Sequence, residues 1–355
     1  MRLFASGFWS ETLQRAWLKH GPLACALWPL SQVFALLSGA RRLLYRIGVF
    51  KPCRLGVPVI VVGNLVAGGA GKTPAVMAVV ALLRRHGYTP GVLSRGYGRQ
   101  NAAPTLEVHR GTAVRDSGDE PKLLHLRTGA PVMVGRERAA AGRALRASHP
   151  EVDVVVCDDG LQHLGLARDA QVIVFDERGA GNGWLLPAGP LREPLRASAP
   201  ARSVVLYNAT AATTPWPGRL GQRSLAGVVE LGAWWQGQAA TPRALDALRN
   251  RPLLAAAGIA NPGRFFDMLR RHGLVFDSLA LPDHHPFATL PWRADATDVI
   301  VTEKDAVKIE PGSTGKIRVW VAALDFQLGP GFESDLMALL PKREMQGKDH
   351  GSSSA

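Results

Sequence analysis

Residues 57 to 80, VPVIVVGNLVAGGAGKTPAVMAVV, constrain the chain more than any other stretch. Val57 to Val62 is a continuous apolar, mostly β-branched run of strand length. Gly63 to Thr73 is a glycine-rich loop closing on Gly71-Lys72-Thr73, and Pro74 to Arg85 has a helical pattern. Strand, loop and helix in that order make a phosphate-binding loop. Gly68, Gly69, Ala70 and Gly71 let the backbone turn tightly enough for successive N–H groups to face one anion, and the following helix adds its positive end. Lys72 supplies a full charge to the β- and γ-phosphates of a nucleotide and Thr73 a hydroxyl for Mg2+. Pro74 suits a first turn that needs no N–H, and Gly87 suits the stop. The strict pattern opens on glycine where this chain has Val66, so the flanking strand and helix carry the assignment; a glycine-rich surface turn that happens to hold a lysine is the competing explanation.

Charge is distributed unevenly. Of a net +13, nearly all lies before residue 107, where thirteen Lys and Arg face a single acid, Glu11. Such a basic region attracts a polyanion, either nucleic acid or an anionic membrane surface. The aromatic residues of this region lie in an apolar stretch and not in a basic patch, which argues against nucleic acid. Cys25, Cys53 and Cys157 show no CxxC spacing and are odd in number, which implies a reducing compartment without a disulfide framework or a zinc site.

Residues 1 to 50 combine large apolar side chains with basic ones. Trp9, Leu13 and Trp17 recur every four residues on one helical face, with Arg15, Lys19 and His20 nearby. Pro22 to Leu30 is apolar, Ser31 and Gln32 interrupt, and Val33 to Leu37 resumes. The uninterrupted length falls short of the roughly 18 to 20 residues of a membrane span, and Pro29 sits in its middle. No small-residue cleavage site follows, so a signal peptide is not indicated. Two helices lying in the headgroup layer fit this pattern; a helical hairpin packed on the protein's own core is the alternative.

Beyond the glycine loop, the chain alternates strands and helices. Thr89 to Leu93 leads into Ser94-Arg95-Gly96-Tyr97-Gly98-Arg99, a flexible loop whose two arginines suit an anionic ligand. Gly118-Asp119-Glu120-Pro121 opens a helix, where acids are often only caps. Val152 to Val156 is a buried strand delivering Asp158 and Asp159, and an apolar strand ending in a carboxylate is what a phosphate-loop enzyme needs to hold Mg2+. Neighbouring residues of a strand point to opposite sides, so one aspartate can face metal and the other the acceptor. Gly179 to Arg196 is a long irregular loop that sets Trp184, Leu185, Leu186 and Leu191 beside Arg192 and Glu193, suiting an acceptor with a greasy part and a charged part. Further strands are expected at Gln171 to Phe175, Ser203 to Tyr207, Leu253 to Ala257 and Val299 to Thr302, with a helix from Asn261 to His272. Asp283-His284-His285 forms a turn, and two histidines alone are weak evidence for metal.

The strings GNLVAGGAGKTP, SRGYGR, SGDEP, VVVCDDGLQH, LLPAGPLREP, LPDHH and VTEKDAVK, in unbroken order from Val57 to Lys308, resemble the tetraacyldisaccharide 4'-kinase family. The resemblance implies phosphoryl transfer from Mg-ATP to the 4'-hydroxyl of an acylated glucosamine disaccharide 1-phosphate at the cytoplasmic face of the inner membrane. It implies that Asp119 is the general base assisted by His284, with His285 the alternative, and that Glu120 lies close to the metal with Thr73 and Asp158. Asp158, Asp159, Arg192 and Glu193 fall on the family's active-site acids and arginine, with His163 a further contributor, and Lys72 clamps the phosphates.

The fold expected is α/β. A parallel sheet flanked by helices of the phosphate-loop NTPase kind occupies residues 51–200, a smaller α/β domain at 201–341 closes on the nucleotide, residues 1–50 associate with membrane, and a polar tail at 342–355 is disordered. No protein partner is evident. A membrane-surface ATPase switch of the partitioning kind shares the strand, loop and helix but usually carries a lysine where this chain has Ala67. A nucleotide-driven metal chaperone would need a Cys/His cluster that Cys157 alone does not supply.

Overall fold

The computed structural model describes residues 7–100 and 103–341, with side chains from Thr12 onward. The side chain of Trp9 and the tail expected at 342–355 lie outside the described residues. The chain begins with helices α1 (Gly7–Ala16) and α2 (Pro22–Arg46), then β1 (Val59–Gly63), α3 (Lys72–Arg85), β2 (Pro90–Ser94) and β3 (Thr105–Val108). Next come α4 (Val114–Ser117), α5 (Asp119–Thr128), β4 (Val132–Gly135), α6 (Arg138–Ser148), β5 (Val154–Asp158), β6 (Ala170–Asp176) and β7 (Ser203–Asn208). The rest comprises β8 (Arg219–Glu230), α7 (Leu231–Trp235), α8 (Pro242–Asp246), β9 (Leu253–Ala257), α9 (Pro262–Arg271), β10 (Asp277–Ala280), β11 (Asp298–Thr302), α10 (Glu303–Ala306), β12 (Arg318–Leu328) and α11 (Phe332–Leu339).

All twelve strands join in one sheet, in the order β10-β9-β11-β12-β8-β7-β6-β1-β5-β2-β4-β3. The expected α/β layering is present. From β7 to β4 every pairing is parallel, and β3 closes the edge antiparallel to β4. Both faces are covered, which is why β1, β5 and β6 read as near-continuous Val and Ile runs instead of alternating. One face packs Ile60, Val62, Val156 and Val172 under α3, and the other packs Val61, Val155, Cys157 and Ile173 together with Leu145 of α6. Buried β1 ends at Gly63, where a Cβ would lie 2.7 Å from the Leu161 side chain.

β7, expected to open a second domain, pairs in parallel with β6. The sheet changes character one strand later, where β8 and β12 form a long antiparallel ribbon. β8 touches β7 near its start, at Arg219 and Leu220, while β12 carries β11, β9 and β10 in parallel on its other side. The ribbon therefore joins the two halves of the molecule.

At the N-terminus the expected interruption at Pro29 to Gln32 does not occur. α2 runs unbroken through Pro29 for 25 residues, roughly 37 Å at 1.5 Å per residue, and is long and apolar enough to cross a membrane by length and composition. A single proline removes one amide from the ladder, and the helix on either side carries on. Ser31, which reads as a polar break, is instead the buried anchor: its Oγ donates to Leu185 O at 2.8 Å and accepts from Ala188 N at 3.0 Å. The α1–α2 connection is tied to the same loop, Trp17 Nε1 donating to Pro187 O at 2.9 Å and Asn182 N to Trp17 O at 2.7 Å. The rest of α2 leaves Trp28, Leu30, Val33, Leu36, Leu37 and Leu43 exposed, so it is not the core-packed hairpin of the alternative.

Candidate active site

The glycine loop is organised from beneath by Asn64, a fully buried polar residue directly after β1. Its Nδ2 donates to Gly68 O at 3.1 Å, and its Oδ1 accepts from Lys72 Nζ at 3.2 Å. Gly68 and Gly71 take φ of 94° and 81°, left-handed conformations that a side chain disfavours. Gly71 caps α3, so Lys72 and the buried Thr73 begin the helix with their amides unspent, while Gly69 faces open space. Ala70 is buried, and Asn208 Nδ2 at the end of β7 donates to its carbonyl at 3.2 Å. The outer flank is held by Arg178, ion-paired to Asp176 at 2.8 Å and donating to Gly69 O at 3.2 Å.

β5 delivers two aspartates to diverging positions. Asp159 has φ of 50°, an uncommon conformation for a residue with a side chain, and this turns the two carboxylates apart. Asp159 stands 3.5 Å from Lys72 Nζ and 2.9 Å from Arg192 Nη1. Arg192 also donates to Gln162 Oε1 at 3.4 Å, and Gln162 Nε2 donates to Glu193 Oε1 at 2.9 Å. Lys72, Asp159, Arg192, Gln162 and Glu193 thus form one polar network. The irregular loop that carries Arg192 is fastened to the glycine loop itself, Ala67 N donating to Pro190 O and Arg192 N to Leu65 O, both at 2.7 Å.

Asp158 turns inward. Ser94 Oγ donates to its Oδ2 at 3.3 Å, while its buried Oδ1 has no hydrogen-bond partner. Burial first, then the negative charges of Glu120 and Asp159, push its pKa up to about 7, against the pull of Lys72 and Arg138.

A second cluster forms at the start of α5. Gly118 precedes it with φ of 90°, and a Cβ there would meet Tyr97 O at 2.9 Å, while one on Gly96 would meet Ser117 O at 2.9 Å. The loop after β2 and the turn before α5 therefore pack backbone against backbone. Asp119 is buried; its Oδ1 accepts from Glu120 N at 2.9 Å and its Oδ2 receives His284 Nδ1 at 2.8 Å. Burial raises the pKa of Asp119, but the hydrogen bond from His284 and the charges of His284, Lys304 and Lys308 outweigh it and hold the carboxyl below its usual range. The same hydrogen bond raises the pKa of His284.

His284 takes φ of 59° to make this reach, while the ring of His285 folds back to accept from Phe287 N at 3.2 Å. Exposed Tyr97 stands 6.2 Å from the His284 ring. Glu120 is ion-paired to Lys304, and Arg127 to Glu303, the two residues that open α10 after its Thr302 cap. Three charge pairs thus join α5 to the C-terminal half.

Most of the residues expected at a site converge. Lys72, Asp159, Arg192 and Glu193 share one network, Asp119, Glu120 and His284 the other, and Asp158 feels both through the charges on its carboxyl. His163 makes neither connection: its Nε2 accepts from Arg138 N at 3.3 Å. Asn64, Ser94, Gln162 and Lys304 went unassigned. Asn64 carries the one available signal, a polar residue directly after a strand with no exposed face. A cleft of about 670 Å³ opens elsewhere, between α3 and β12, but its arginines are spent on Thr128 O, Glu333 and Glu303.

Among the described residues no three His, Cys, Asp or Glu side chains form a metal cage. Mg2+ needs no such cage, being held by one or two carboxylates with phosphate oxygens and water, so the fit turns on single carboxylates. The unpartnered Asp158 Oδ1, inside an excess of negative charge and beside the glycine loop, is the position a divalent cation would relieve.

The model of the family described as tetraacyldisaccharide-1-P 4'-kinase matches residues 23–341. The tetraacyldisaccharide 4'-kinase of Leptothrix cholodnii is 56% identical over 341 residues, covering 93% of this chain and 96% of its own. That of Methylibium petroleiphilum is 52% identical over 345 residues, covering 94% and 95%. The crystal structure of "apo" form LpxK from Aquifex aeolicus in complex with ATP superposes with a TM-score of 0.75 at 26% identity, covering 90% of this chain and 100% of that one.

Proposed function

The chain belongs to the tetraacyldisaccharide 4'-kinase family, ATP-dependent kinases of lipid A biosynthesis whose acceptor is an alcohol group, and from that premise we propose how its residues divide the work. Asp119 is the general base for the 4'-hydroxyl of the tetraacyldisaccharide 1-phosphate. The observation that carries this is the 2.8 Å contact with His284, which aims the carboxylate and keeps it ionised. A sugar hydroxyl has a very high pKa, so a carboxylate helps by accepting the proton as the P–O bond forms, while positioning and charge neutralisation supply most of the rate.

The glycine loop, Gly68 to Pro74, cradles the phosphates of ATP, and Lys72 clamps their outer end. Arg192 adds a second cation, held in place by Asp159 and by the Gln162–Glu193 hydrogen bond. Thr73 and Asp158 would hold Mg2+, with Glu120, engaged by Lys304, close enough for its charge to bear on Asp158. The cation supplies charge neutralisation at the phosphates when bound.

The residues divide into an N-terminal membrane-associating segment, a phosphate-loop domain and a smaller α/β domain. Because His284 and Lys304 come from the C-terminal half and Asp119 and Glu120 from the other, the base is complete only when the halves are together. The exposed apolar residues of α2, with Arg41, Arg42 and Arg46 at its end, set the enzyme on the anionic cytoplasmic face of the inner membrane, where its acylated substrate resides.

The test is transfer of labelled γ-phosphate from Mg-ATP into an organic-extractable product, with the tetraacyldisaccharide 1-phosphate in mixed micelles. Label should enter the lipid and vanish with Lys72→Ala. Label released only as free phosphate would overturn the reading.

A further inference from the structure

β8 carries Arg223 past the glycine loop on the side away from Asp159. In sheet order β7 and β8 lie to one side of β1, whereas β5, with Asp158 at its end, β2 and β4 lie to the other. The cluster of Asp119, Tyr97 and His284 stands with the second group, because the loop holding Tyr97 follows β2 and α5 precedes β4. Acceptor chemistry is thus on one flank of the glycine loop and Arg223 on the other.

The guanidinium reaches the loop itself. An ideal Cβ on Gly71 would collide with both Asn208 Nδ2 and Arg223 Nη2, so glycine at this position keeps the amide and the guanidinium against the start of α3. Asn208 spends its amide on Ala70 O at 3.2 Å. The neighbouring arginines are also spent, Arg178 on Asp176 at 2.8 Å and Arg264 on Glu177. Arg223 is exposed on β8, and among the described residues its guanidinium makes no side-chain hydrogen bond or ion pair, the nearby Asp176 and Glu177 being engaged by Arg178 and Arg264. A guanidinium whose nearest carboxylates are paired to other arginines keeps free donors beside a loop of inward amides, and these suit a phosphate oxygen.

We propose that Arg223 binds the phosphate chain of the nucleotide from the β8 flank, as a further cation on the side away from Arg192. The assignment rests on the glycine loop being the nucleotide site. Arg223 is in register with Phe326 of β12, on the ribbon joining the halves, so the nucleotide contacts the C-terminal half through this strand as well as through the site's far flank. The acceptor also carries a phosphate, but it lies on the flank of Asp119, away from Arg223.

The experiment measures dissociation constants of ADP and of pyrophosphate for the full chain and for Arg223→Ala, Arg223→Lys and Lys72→Ala. Arg223→Ala should weaken both ligands about tenfold, the effect of losing one charged hydrogen bond, and Arg223→Lys should recover part of that loss. The thermal midpoint of the unliganded Arg223→Ala protein should match the parent, while its rise on adding ADP shrinks. Weakened ADP with unchanged pyrophosphate would place the contact on the nucleoside and overturn the proposal. Unchanged ADP affinity, or weaker binding of acceptor micelles alone, would also overturn it. If Lys72→Ala left both constants unaltered, the glycine loop would not be the nucleotide site at all, an outcome distinct from failure of Arg223 alone.

Discussion

His284 Nδ1 lies 2.8 Å from Asp119 Oδ2, across 165 positions of sequence. Neither residue reaches the contact by default: Asp119 follows a left-handed Gly118, and His284 is itself left-handed, a conformation costing on the order of 1 kcal/mol or more for a side-chain-bearing residue. Strain of this kind persists only where the surroundings over-determine it. Here the Glu120–Lys304 and Arg127–Glu303 pairs hold the same two segments together.

Replacing the base should separate chemistry from binding. Asp119→Ala is expected to lower kcat by roughly 10²–10⁴-fold, the usual contribution of a positioned proton acceptor, with ATP affinity little changed. His284→Ala should share part of the kcat loss, and His285→Ala should cost stability through its turn and Phe287 instead. Steady-state kinetics with calorimetric ATP titration checks this; equal collapse of ATP binding in Asp119→Ala would make Asp119 a metal or structural residue.

The same pair should leave a signature in stability against pH. His284 has a raised pKa, so its stabilisation is fully present below about 6.5, its unfolded value, and is lost as pH rises through the folded pKa. Asp119 has a lowered pKa, so its share is present above its unfolded value and lost as pH falls through the folded one. The difference in Tm between the parent and His284→Gln should therefore be largest in mildly acid solution and shrink towards both alkaline and strongly acid pH. A difference independent of pH would sink the ion-pair assignment.

Asp158 predicts the opposite sign. A carboxyl raised to about 7 makes the folded state bind a proton more tightly than the unfolded chain, so stability falls as pH climbs between its unfolded value and 7. Asp158→Asn should raise the Tm of the unliganded protein above pH 7. With Mg2+ and ADP added, the parent should gain stability and Asp158→Asn much less. Scanning calorimetry with and without the cation measures both, and equal gains would remove Asp158 from the metal site.

The exposed stripe of α2 should govern contact with lipid alone. Leu36 and Leu37 are 72% and 66% exposed, so Leu36→Asp with Leu37→Asp removes apolar surface without opening a core. Sedimentation with anionic vesicles should fall severalfold while ADP affinity stays the same. Unchanged sedimentation would exclude the membrane role of this face.

Ser31→Ala probes the other side of α2. Removing the hydroxyl takes away the partner of buried Ala188 N, at a cost of about 1–3 kcal/mol, while Leu185 O keeps the bond from Gly189 N. The lower Tm should come with weaker docking of the loop that carries Arg192, visible as faster amide exchange over residues 182–192.

What could be read from the chain was what neighbours within a turn or a pleat decide. Val57 to Arg85 announces strand, loop and helix, and the other buried parallel strands show as apolar runs, because burial on both faces leaves no polar position to blur them. β8 and β12, which join the halves, escaped: Arg219 and Leu220 and then Gln222 to Ser224 are exposed, and Gly221 and Gly227 break any apolar rhythm, so pairing along β12 holds β8 in place of its own pattern. Edge strands β3 and β10 are short and half-exposed, and left no signal for the same reason.

Within the site, Lys72, Thr73 and the carboxylates at the end of β5 follow from local motif, whereas Asp119 and His284 entered through resemblance, since an acid at a helix start and a histidine in a turn are each unremarkable alone. Tertiary structure decided which aspartate faces inward, which histidine reaches Asp119, and that Ser31 and Pro29 anchor and continue a helix that they seem to divide. The reason is one of range. Backbone propensity and side-chain periodicity are properties of a few consecutive residues, but a carboxylate's partner and a serine's burial depend on segments that meet only when the sheet has closed.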